Sequence, residues 1–102
     1  MKRIILTWLP RAERDLEQIR ARIARDKPIA AEKFVRNLRK AAGRLRRFPL
    51  LGWMVEEWQD PNIREILYGN YRIIHRVRDN VVQVMIVIHG ARLLDEDPLK
   101  DE

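Results

Sequence analysis

The fold turns on residues 70–92, NYRIIHRVRDNVVQVMIVIHGAR. Two β-branched, apolar runs, Tyr71 to Arg78 and Val81 to His89, flank Asp79-Asn80, a dipeptide that tolerates positive φ, so the stretch reads as a β-hairpin closed by a two-residue turn. In that register Arg78 faces Val81, Val77 faces Val82, and successive side chains alternate between the two sides of the sheet. One side collects Tyr71, Ile73, His75 and Val77 with Val82, Val84, Ile86 and Ile88, and is the expected core face. The other collects Arg72, Ile74, Arg76 and Arg78 with Val81, Gln83, Met85, Val87 and His89. A solvated sheet face is normally polar. Guanidiniums around Ile74, Met85 and Val87 instead describe an interaction surface, since Met and Arg are enriched in interface cores. The alternative is a second layer of the same chain, such as its tail, lying over the patch.

Upstream, Ile63 to Tyr68 is a further strand, joined to the hairpin through Gly69-Asn70, which makes the carboxyl half a meander. Pro49, Gly52, Asp60 and Pro61 mark a connecting region in which Met54 to Trp58 form a short strand. Towards the amino end, Ala12, Leu16, Ile19 and Ile23 recur at helical spacing behind Pro10, and Ala31, Phe34, Leu38, Ala41, Leu45 and Phe48 do so behind Pro28. About three residues separate the two helices, so they form an antiparallel αα-hairpin. Residues 2–8 read as a short first strand; their apolar run is too brief for a signal peptide. The expected class is α+β: a short N-terminal strand and a helical hairpin packed on one face of a mainly antiparallel sheet of three to four strands. A single domain is expected over residues 1–94, followed by a flexible acidic tail, 95–102.

The chain has 102 residues, a formal net charge of +6 and no cysteine, which excludes disulfide frameworks, thiolate chemistry and Cys-based zinc sites. No run approaches a membrane span, and a soluble, cytoplasmic protein is expected. Residues 20–47 hold eleven Lys and Arg against two carboxylates, a local net of +9, whereas residues 94–102 carry a net of −4. The basic segment fits an anionic partner or a well-solvated helical surface, and charge alone does not separate them.

No strong catalytic motif is present, and no metal or cofactor is expected. His75, on the core face, reads as a hydrogen-bonded structural histidine. His89 ends a strand beside Gly90, and with Arg72 and Arg92 it forms a candidate proton-transfer and cation set for phosphodiester chemistry; a purely binding role needs fewer assumptions. Trp8, Trp53 and Trp58 read as seals at the core's edges rather than base-stacking platforms.

The order of elements, with DLEQI in the first helix, PIAAEKF opening the second, LRRFP closing it, then IREI, YRIIHRV and the terminal VIHGAR, resembles the RelE/ParE superfamily of toxins from bacterial type II toxin-antitoxin modules. The resemblance spans about residues 3–94. It implies a toxin neutralised by an antitoxin segment that folds onto it, in a hetero-oligomer. It implies one of two targets: translated messenger RNA on the ribosome, cut by RelE-like members, or DNA gyrase, inhibited by ParE-like members of the kind that stabilise plasmids. Arg72 and Arg92 match functional arginines of the cutting branch. However, no lysine lies between Lys40 and Lys100 and no tyrosine follows Arg92, so the likeness is closer to the ParE side. The residues expected to bind antitoxin or target are Arg72, Ile74, Arg76, Met85, Val87, His89 and Arg92. Alternatives are a RelE-like endoribonuclease using Arg72, His89 and Arg92, and a non-catalytic nucleic-acid-binding module using the helical surface.

Overall fold

A computed structural model describes residues 3–90. Strand β1 (Ile5–Trp8) leads into helix α1 (Pro10–Ala24), and helix α2 (Pro28–Gly43) runs into a 3-10 turn at Arg44–Arg46. Four strands follow: β2 (Trp53–Met54), β3 (Ile63–Tyr68), β4 (Tyr71–Arg78) and β5 (Val81–His89). Both helices begin at the prolines, whose missing N–H costs nothing in a first turn. The second helical segment is not continuous to Phe48, because it tightens into 3-10 geometry after Gly43.

The strands form one sheet in the order β1-β5-β4-β3-β2, five strands rather than three or four. The β2-β3, β3-β4 and β4-β5 pairs are antiparallel, and β1 pairs with β5 in parallel, Ile5 opposite Val81 and Trp8 opposite Val84. Asp79-Asn80 is the expected two-residue turn, with Asp79 at φ 54. The short strand after the helices is Trp53–Met54, not Met54 to Trp58; beyond it the backbone hydrogen bonds from Trp58 and Gln59 to the Val55 carbonyl fold the chain into a turn.

The hairpin departs from simple alternation at one point. His75 lies opposite Val84 but Ile74 lies opposite Ile86, leaving Met85 as the extra residue of a β-bulge. A bulge shifts the phase of everything beyond it, so Ile86 and Ile88 move to the outer side and Val87 to the helical side, opposite to the strict register. Val87 joins Leu16, Ile19, Leu38, Leu45, Ile73, Val82 and Val84 in the core beneath the helices. Phe34 of α2 meets the rings of Tyr68 and Tyr71 edge-on at 5.4 and 5.5 Å, fixing the helical layer to the β3-β4 turn.

The outer side is a second, smaller core. Val55, Ile63, Ile74, Met85, Ile86 and Ile88 are buried together, with Leu9 and Trp58 packed against them. The expectation of an exposed patch is therefore corrected: Ile74 is 0% and Met85 1% exposed, because the chain's own Val55–Trp58 segment crosses over the sheet. Trp8 and Trp58 flank the cores as expected, whereas Trp53 is 62% exposed. Among the described residues no helix is long and apolar enough to cross a membrane.

Candidate functional site

Sheet periodicity puts Arg72 on the outer side, opposite Leu67 of β3 and Ile88 of β5. There it is 7% exposed and enclosed by carboxylates. Its Nε donates to Glu65 Oε2 at 2.6 Å, and its Nη1 and Nη2 donate to Glu57 at 3.0 and 2.9 Å. The Glu57 contact is a two-pronged guanidinium-carboxylate fork, the strongest geometry available to such a pair. Hydrogen bonding to Glu57 raises the Arg72 pKa against the opposing effect of burial, with Glu65 adding to the rise. Glu65 sits diagonally across the β3-β4 ladder, so the meander register carried into β3 places it beside Arg72. Glu57 comes from the crossing segment, 15 residues away, and no local pattern announces it.

These residues floor a cleft of about 740 Å³ whose walls include Glu56, Leu67, the Gly69-Asn70 turn, and His89 with Gly90. Its described lining carries three carboxylates and one guanidinium. His89 is exposed at the cleft's end and, shifted by the bulge, packs its ring edge-on against Tyr71 at 5.5 Å. It is thus not on a row of outward arginines. Arg76 is half-buried and donates through Nε to Gln83 Oε1 at 3.0 Å, a partner directly across the ladder. Of the expected site residues, the fold brings Arg72 and His89 to one cleft, leaves Arg76 apart, and buries Ile74, Met85 and Val87. Arg92 and the 95–102 tail lie outside the described residues.

His75 is fully buried, and its Nε2 lies 3.0 Å from the Pro49 carbonyl, which ties β4 to the end of the helical layer. Burial lowers its pKa to about 4, with the carbonyls of Pro49 and Ile73 pulling the other way and Arg64 adding to the fall. The structural role expected for this histidine fits that environment. No group of His, Asp and Glu suited to a metal ion occurs among the described residues.

A model of the family described as the ParE toxin of the type II toxin-antitoxin system, parDE, matches residues 6–94. The chain belongs to this ParE toxin family. The toxin is also similar to Toxin RelE2 of Caulobacter vibrioides, 32% identical over 94 residues that cover 91% of this chain and all of that protein. A structure from the chromosomal ParDE toxin-antitoxin system of P. aeruginosa superposes with a TM-score of 0.71 at 19% identity, covering 84% of this chain and 95% of that one. The RelBE2 toxin-antitoxin complex of Mycobacterium tuberculosis does so with a TM-score of 0.56 at 25% identity, covering 90% and 97%. The α+β fold, two helices on a mostly antiparallel sheet, is that of RelE/ParE superfamily toxins.

Proposed function

We propose that this toxin acts without cutting RNA, as a ParE-like inhibitor of DNA gyrase held in check by a cognate antitoxin. The observation that carries the reading is the capture of Arg72 by Glu57 and Glu65. A cutting site needs free cations where phosphate charge develops. Here the described cleft presents Glu56, Glu57 and Glu65 around a guanidinium already occupied by two of them, which repels a phosphodiester. The missing lysines and terminal tyrosine point the same way.

Glu57 and Glu65 also occupy the place expected for an antitoxin's acids, and Val55 and Trp58 the place expected for its apolar anchors. Contact between antitoxin and the sheet's outer side is therefore assigned to residues still reachable there, namely Trp53, Leu67 and Arg76, with His89 at the cleft's end. A segment reaching Ile74 or Met85 would have to displace the crossing segment.

Purified toxin is expected to block gyrase supercoiling and to leave translated message intact in a translation-coupled cleavage assay. Codon-phased cuts that disappear in Arg72→Ala or His89→Ala would instead establish the RelE-like reading, which the Caulobacter relative's name favours.

A further inference from the structure

The helical layer faces away from the cleft, across the sheet, and its charges are unevenly matched. Glu13 holds Arg39, Asp15 holds Arg11, and Glu17 and Glu32 hold Arg20. Lys33, Arg36, Lys40, Arg44 and Arg47 are all exposed, and none forms an ion pair with a described residue. At about 100° per residue, the first four fall within an arc of about 80°, and at about 1.5 Å per residue they span about 16 Å. Arg47 continues the row past the 3-10 turn. A line of cations without ion pairs among the described residues thus runs along α2 from Lys33 and into the turn that follows.

We propose that this row is a docking surface for the phosphate backbone of duplex DNA, separate from the toxin's cleft. The same length of B-DNA presents about ten phosphate charges, at about one per 1.7 Å. Three features select this occupant. A protein partner needs apolar anchors among the charges, and the exposed apolar residues here lie only at the two ends of the row, Ile29 at one and Phe48 with Leu50 at the other. Single strands need successive stacking platforms, and the exposed aromatics lie only towards one end of the row, Phe48 under the guanidinium of Arg47 at 5.9 Å and Trp53 in a cleft shared with Arg44. Duplex RNA is recognised partly through its 2′-hydroxyls, and the row offers no hydroxyl side chain and a single amide, the half-buried Asn37. Bare cations on a rigid helix suit a backbone read for charge alone.

The test uses full-length toxin and a fluorescein-labelled 20-base-pair DNA duplex, followed by fluorescence anisotropy from 50 to 200 mM salt. Five phosphate contacts give a log-log salt slope of about −4.5, so affinity falls about 500-fold across that range. In the triple variant Lys33→Gln, Arg36→Gln, Lys40→Gln the slope falls to about −1.8 and the loss to about 12-fold. Circular dichroism reports on the fold and a supercoiling assay on the proposed gyrase inhibition, and both are expected to be unchanged. A wild-type slope that the triple variant does not alter, no measurable binding at 50 mM salt, or equal binding of a duplex RNA of the same length would each overturn the assignment. An acidic peptide that binds the row and competes DNA away only at far higher concentration supports it, whereas a peptide binding more tightly than DNA overturns it.

Discussion

His75 makes stability depend on pH in a window where most carboxylates do not titrate. In the folded chain its pKa is about 4, against an ordinary value of 6.5, because burial penalises the imidazolium. The unfolded chain therefore binds a proton near pH 6.5 that the folded chain refuses until about pH 4. The stabilisation is complete above 6.5 and is lost progressively as the pH falls towards 4. Integrating between those two values gives a loss of about 2 kcal/mol on going from pH 7.5 to 5.0, at about 1.36 kcal/mol per pKa unit. Urea unfolding at both pH values reads this directly. With a slope of about 1–1.5 kcal/mol per molar, the midpoint should fall by roughly 1.5 M. His75→Gln keeps an N–H for the Pro49 carbonyl and has no titration in this range, so its midpoint should move far less. Parallel losses in the wild type and the variant would refute the reasoning, since the proton would then be taken up elsewhere.

Three further outcomes are expected. Arg72→Gln leaves the partly solvated Glu57 and Glu65 facing each other on the cleft floor and should cost about 1–3 kcal/mol in chemical unfolding, while the triple change Arg72→Met, Glu57→Gln, Glu65→Gln should recover most of it. Gly52→Ala should lower the thermal midpoint severely, because Gly52 sits at φ 95 and an added Cβ would lie 2.0 Å from the Glu65 carbonyl oxygen; Gly69→Asn, at φ 56 with open space around it, should be nearly neutral. Asp15→Ala should cost about 1–3 kcal/mol and speed hydrogen exchange at Val87, whose amide donates to Asp15 Oδ2 at 3.1 Å just beyond the point where β1 stops pairing with β5.

Element boundaries were legible where the chain carries backbone chemistry: Pro10 and Pro28 open helices, and Gly69-Asn70 and Asp79-Asn80 close hairpins, all at the residues expected. The faces of β4 were legible as well, because arginines and apolar residues alternate there. Beyond Val84 the sequence is Met-Ile-Val-Ile, apolar at every position, so it carries no record of phase and the bulge at Met85 leaves no trace. That one residue reverses the sides of Ile86, Val87 and Ile88. The lid over the outer side was hidden for another reason. Val55, Glu57 and Trp58 act through a turn with no periodicity, and their contacts depend on tertiary path alone. The candidate site was accordingly half visible: Arg72 stood out as a cation in an apolar strand, but not the two carboxylates that occupy it.

The parallel seam between β1 and β5 has a consequence for when the toxin comes into being. Residues 5–8 wait for partners at 81–84, so the first strand emerges from a ribosome long before the one it must join. The helical hairpin waits too, since Val82, Val84 and Val87 supply part of the surface it rests on. A nascent chain short of those residues has no finished core, and so the toxin cannot fold until the stretch from Val81 to Val87 has been made.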